Sequence, residues 1–187
     1  MIQNENQIKS HLQRISNTLL INGGFLNNPG LYSGEMGLAL FFAQYARFSQ
    51  NELYSDYSFN LIEIIQKSIH KGTPVNYKNG LAGIGSSIEY LVQNDYFKVD
   101  TDFLLEEFDE RIFSVENLPY LPIEDLLSIE YYALWRMSGN TARKQTILKT
   151  VLPQIVCFIE QKCQNLNNTY PTVGFFKKFI SISLLKP

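Results

Sequence analysis

Two short stretches of this chain are near copies of one another, and they limit its fold more than any other feature. Ser33-Gly34-Glu35-Met36-Gly37-Leu38-Ala39 and Asn79-Gly80-Leu81-Ala82-Gly83-Ile84-Gly85 lie 46 residues apart. Each reads as a small polar residue, a Gly-x-x-Gly and an apolar run. A fixed period of this length marks a repeat architecture. The next step reaches Asp125, ahead of Leu126, Leu127 and Ile129, and the one after it reaches Pro171 and Thr172, ahead of Val173, Phe175 and Phe176. Side-chain oxygens of Ser, Asn, Asp and Thr accept from the orphan N–H groups of a first helical turn. The pattern therefore predicts capped helices starting near 33, 79, 125 and 172.

Amphipathic segments alternate with these. Residues 2–21 form the first. Residues 52–70 carry Leu53, Tyr57, Leu61, Ile64, Ile65 and Ile69 as a stripe. Residues 102–116 carry Leu104, Leu105, Phe108 and Ile112, with Glu106, Glu107, Asp109, Glu110 and Arg111 off it. Residues 141–164 carry Leu148, Val151, Ile155, Phe158 and Ile159, with Pro153 placed to kink or divide the helix. The capped segment from Met36 to Phe48 is instead apolar on nearly every side, which predicts burial all round. Buried helices alternating with half-exposed ones give an all-α, two-layer α/α array, an inner row wrapped by an outer row, of about four pairs. The expected organisation is a single domain over 1–187, long enough to hold a core without metals or disulfides.

Charge and composition narrow the function. Sixteen basic and eighteen acidic residues leave a net charge of −2, which argues against a nucleic-acid binder working through a basic surface. The longest strongly apolar stretch, Met36 to Ala43, is far short of the ~20 residues of a membrane span. Residues 1–14 do not read as a secretory leader. Cys157 and Cys163, six apart in a helical pattern, are too far apart to pair, as free thiols of a reducing compartment would be. The expectation is a soluble, cytoplasmic protein with no nucleic-acid or membrane partner. Gly34, Gly37, Gly80, Gly83 and Gly85 need a reason, since each costs ~1 kcal/mol against Ala inside a helix. Close backbone packing at the inner helix starts is one; a groove opened for an extended ligand is the other.

The residues 30–40 and 79–91, Gly30-Leu31-Tyr32-Ser33-Gly34-Glu35-Met36-Gly37-Leu38-Ala39-Leu40 and Asn79-Gly80-Leu81-Ala82-Gly83-Ile84-Gly85-Ser86-Ser87-Ile88-Glu89-Tyr90-Leu91, resemble the lanthionine synthetase C-like family. The resemblance implies an α/α toroid of inner and outer helices, of which about four pairs make a half. It also implies a zinc held by two cysteines and a histidine, which activates a peptide cysteine thiolate for addition to a dehydrated serine or threonine. Coordination deprotonates the thiol near neutral pH. This sequence departs from the family's Trp-Cys and Cys-His-Gly motifs: Trp135 precedes Arg136, and neither Cys157 nor Cys163 precedes a histidine. His11 and His70 lie far from both cysteines in the sequence. The expectation is therefore no zinc cofactor and no catalytic residue.

Candidate binding residues cluster around the inner helix starts. Glu35, Glu89 and Asp125 are acids placed to face one central cavity, with Asn79 beside the second start. Tyr32, Tyr77, Tyr90, Tyr120, Tyr131 and Tyr132 supply apolar area with a polar handle, suited to peptides or sugars. The substrate-binding set is Tyr32, Glu35, Tyr77, Asn79, Glu89 and Asp125. The leading reading is a non-catalytic half-domain that binds a peptide or assembles with a partner. A subunit of a zinc-dependent peptide cyclase completed by another chain is one alternative. A carbohydrate-active α/α barrel working through paired carboxylates is another. The apolar run Val173, Phe175, Phe176, Phe179, Ile180, Ile182, Leu184 and Leu185, relieved only by Lys177 and Lys178, predicts a homo-oligomer or a partner chain at the C-terminal helix.

Overall fold

Helices account for the regular structure, and no strand occurs among the described residues. The computed structural model describes residues 2–165. In chain order they form α1 (Ile2–Asn22), a 3-10 turn (Gly23–Phe25), α2 (Glu35–Ser49), α3 (Glu52–Ser68), α4 (Leu81–Gln93), α5 (Thr101–Leu104) and α6 (Glu106–Ile112). A second 3-10 segment (Val115–Tyr120), α7 (Ile123–Ser138), α8 (Lys144–Thr146), a π-helical turn (Ile147–Val151) and α9 (Leu152–Asn165) follow. Inner helices α2, α4 and α7 pack in sequence, α2 on α4 and α4 on α7. Outer helices back them, α3 behind α2, α6 behind α4 and α9 behind α7. The core lies between the rows, with Phe42, Ile65, Leu81, Ile84, Leu91, Leu126, Ile129 and Ile155 all fully buried. The final predicted start at Thr172 and the apolar run from Val173 lie outside the described residues.

The glycine repeat has a packing cause. In each copy the preceding loop folds back over the helix start and presents its own carbonyls. Asn28 O accepts from Glu35 N at 2.8 Å, and Pro74 O accepts from Leu81 N at 2.9 Å, the same bond one period later. A Cβ on Gly34 would overlap Asn28 O, and one on Gly80 would overlap Pro74 O. Gly37 and Gly83 stand against Leu31 O and Tyr77 O in the same way. Backbone satisfies these first-turn donors, so side-chain caps are not used, and the expected starts need correction. The helices begin at Glu35 and Leu81; Gly34 and Gly80 occupy the cap positions with no side-chain bond, in place of Ser33 and Asn79. The third inner helix follows Pro122, so Asp125 lies inside its first turn instead of ahead of it.

Other expectations shift for local reasons. On α3 the buried stripe is Ser58, Leu61, Ile62 and Ile65, leaving Leu53 and Ile64 exposed. Ser58 is admitted because its hydroxyl donates to Ala39 O at 2.7 Å. The expected helix over 102–116 is divided near Leu105 and ends at Ile112. Its Asp109 is buried, since α7 supplies its partners. Pro153 stands second in α9, where its missing N–H removes a helical bond just behind the π turn, dividing the 141–164 segment. Met36 to Phe48 is not covered on every side: Gln44, Arg47 and Phe48 are exposed, and α4 is the helix buried almost throughout.

Candidate functional site

The open side of the inner row carries a line of aromatic rings. Tyr77, in the loop before α4, meets Tyr131 of α7 edge-on with centroids 4.9 Å apart. Tyr131 stands 6.4 Å from Trp135, one helical turn on. Trp135 meets Tyr90 of α4 at 5.9 Å, and Tyr90 stacks on Tyr96 at 6.1 Å. The Arg47 guanidinium lies 3.6 Å over the Tyr96 ring and donates to Asn94 O, fixing the far end. Gln44 donates to the Tyr90 hydroxyl at 3.4 Å, so α2 contributes a polar edge. The i, i+4 spacing of Tyr131 and Trp135 puts both rings on one face of α7, and the Gly-assisted approach of the preceding loop sets Tyr77 against it.

One end of this line opens into a pocket of about 420 Å³ lined by Tyr32, Tyr77, Glu124, Leu127, Glu130 and Tyr131, among others. Glu130 is 2% exposed and has no hydrogen-bond or ionic partner among the described residues. Burial pushes its carboxyl up to about 6. Tyr77 is raised too, by burial first and then by the neighbouring tyrosines.

Behind the aromatic face lies a buried ionic cluster centred on Arg136, which is fully buried. Its guanidinium donates to Glu89 of α4, to Asp109 of α6 at 2.8 Å and to Asp102 of α5 at 2.6 Å. The Tyr132 hydroxyl donates to Asp109 at 2.6 Å, and Thr141 to Asp102 at 2.6 Å. Burial works to lift the Asp102 pKa, but the Thr141 hydroxyl, the Ala142 N–H and Arg136 together bring it below its ordinary value. Tyr132 goes well up, through burial and then through Asp109. The cluster ties four helices, α4, α5, α6 and α7, and the loop after α7 together.

The structure brings some of the expected residues together and separates others. Tyr32 and Tyr77 share the pocket. Asn79 holds the two repeat loops together, its Oδ1 accepting from Asn28 Nδ2 at 3.3 Å. Glu35 is half-buried near Tyr57 of α3, and burial raises it. Asp125 is half-buried and raised by burial and by neighbouring Glu124. Glu89 is 1% exposed and held by Arg136. No contact joins the three acids Glu35, Glu89 and Asp125 among the described residues, and Glu89 is occupied by its ion pair. Tyr132 is core, and Tyr120 is 86% exposed. Trp135, Glu130 and the Arg136 cluster were not anticipated. A signal for Glu130 was present: Leu126, Leu127, Ala133 and Leu134, at i±3 and i±4, are all apolar.

The sequence model of the lanthionine synthetase C-like family matches residues 26–175 of this chain. The chain belongs to the lanthionine synthetase C-like family. No curated protein and no solved structure matches it. The family's zinc needs thiolate and imidazole together. Here Cys157 is exposed and accepts from Gln161 Nε2 at 3.4 Å, while Cys163 packs beside the core. His70 Nδ1 accepts from Gly72 N at 3.0 Å in the turn after α3. Among the described residues no three His, Cys, Asp or Glu side chains are grouped to hold a metal. No helix among the described residues is long and apolar enough to cross a membrane.

Proposed function

We propose that this lanthionine synthetase C-like chain binds a peptide along its inner aromatic face and acts as a binding or assembly module, without catalysing ring closure by itself. The observation that carries the reading is the continuous line Tyr77, Tyr131, Trp135 and Tyr90, which joins three inner-row segments on one open side. Aromatic rings bind an extended chain through apolar area at low side-chain entropy cost, and their hydroxyl and indole groups reach peptide amides. Family membership supports a peptide as the ligand class. In this reading a second chain, either another copy or a different protein, covers the apolar residues from Val173 to Leu185.

The test uses Trp135, the one tryptophan in the sequence, as a reporter. A serine- and cysteine-containing peptide of about ten residues should shift Trp135 emission saturably, and Tyr131→Ala should weaken binding about tenfold, as loss of an aromatic anchor does. Emission unmoved by such peptides at millimolar concentration would refute the reading.

A further inference from the structure

The pocket at the Tyr77 end contains a charge that the fold leaves unanswered. Glu130 is 2% exposed, lines the pocket and lacks a partner among the described residues, unlike the other buried carboxylates, Glu89 and Asp109, which Arg136 satisfies. An ionised carboxylate in that position is costly until an opposite charge arrives. The rest of the lining suits a cation. Tyr32, Tyr77 and Tyr131 supply aromatic rings, whose faces attract cations, and Glu124 is a second acid in the lining. An anion would meet two carboxylates there, and a purely apolar group would leave Glu130 unpaired.

We infer that this pocket is a recognition site for a cationic side chain, the ammonium of lysine or the guanidinium of arginine, on the peptide that lies along the aromatic face. The inference rests on the peptide-binding reading. Tyr131 belongs both to the pocket and to the aromatic line, so an extended peptide on that line passes the pocket mouth and can drop one side chain into it. Glu130 pairs with the cation, the tyrosine rings enclose it, and Leu127 and Leu134 pack along its methylene stem.

The probes are N-acetyl-lysine N-methylamide and its uncharged counterpart N-acetyl-norleucine N-methylamide, titrated into the full chain and followed by saturation-transfer NMR. The expected result is binding of the lysine probe about tenfold tighter than the norleucine probe, as a desolvated cation beside aromatic rings and a carboxylate predicts. Glu130→Gln should erase that preference while circular dichroism stays unchanged, and Glu124→Gln should reduce it in part. Equal binding of the two probes to the wild-type chain, or an undiminished preference in Glu130→Gln, would overturn the inference. A free diamine, cadaverine, binding tenfold tighter than the lysine probe would overturn the assignment to a peptide side chain. Failure here leaves an uncharged peptide's effect on Trp135 emission untouched, so the two readings fall separately.

Discussion

Arg136→Met is the sharpest perturbation of the fold as described. Methionine keeps most of the side-chain length and removes the charge. Two carboxylates, Glu89 and Asp109, are left with 1% and 0% side-chain exposure and without their main partner. Removing one member of a buried ion pair costs about 3–5 kcal/mol, because the other charge remains desolvated. Arg143 lies 3.7 Å from Asp109 and offers partial relief, which favours the lower end of that range. Measured by urea unfolding with circular dichroism, and with an m-value of about 2 kcal/mol/M, the midpoint should fall by roughly 1.5–2.5 M. Adding Glu89→Gln and Asp109→Asn to Arg136→Met should recover most of the loss at pH 7. A single variant within about 1 kcal/mol of wild type would overturn this role for Arg136.

Glu130→Gln should act in the opposite direction. The folded-state pKa is raised from 4.5 to about 6, so the penalty is absent below about pH 4.5 and fully present above about pH 6. The variant should be more stable than wild type by about 1–2 kcal/mol at pH 7 and equal to it at pH 4, read from urea melts at the two pH values. Gly83→Ala should destabilise by about 1–2 kcal/mol despite alanine's better helix propensity, since its Cβ would meet Tyr77 O, a backbone atom. Gly24→Ala, where a Cβ meets nothing within 4 Å, should stay within about 0.5 kcal/mol in the same assay. Light scattering should give about 43 kDa, twice the chain's 21.5 kDa, if a second copy covers the apolar residues beyond 172, and 21.5 kDa at every concentration would exclude self-association.

The parts of the fold legible in the sequence were those set by local periodicity. The step from Glu35 to Leu81 follows the glycine spacing because the same loop carbonyls press on the same helix positions in both copies. The reading of Ser33 and Asn79 as caps failed for the same reason: the donors they would have served were already met by Asn28 O and Pro74 O. The step to α7 came early because the 3-10 segment Val115–Tyr120 and Pro122 set its start in place of another glycine turn. That Tyr32 and Tyr77 come close together was legible because both sit beside the repeat. Glu89, Asp102, Asp109 and Arg136 meet across large gaps in the chain, and no spacing rule relates them. Asp109 therefore looked like one more acid on an exposed face.

The most direct test of the central claim is a titration of the full chain with a serine- and cysteine-containing peptide, following Trp135 emission in the wild type and in Tyr131→Ala. A saturable change in the wild type and about tenfold weaker binding in the variant are expected. An emission that no peptide moves, or equal binding by the two proteins, would contradict it.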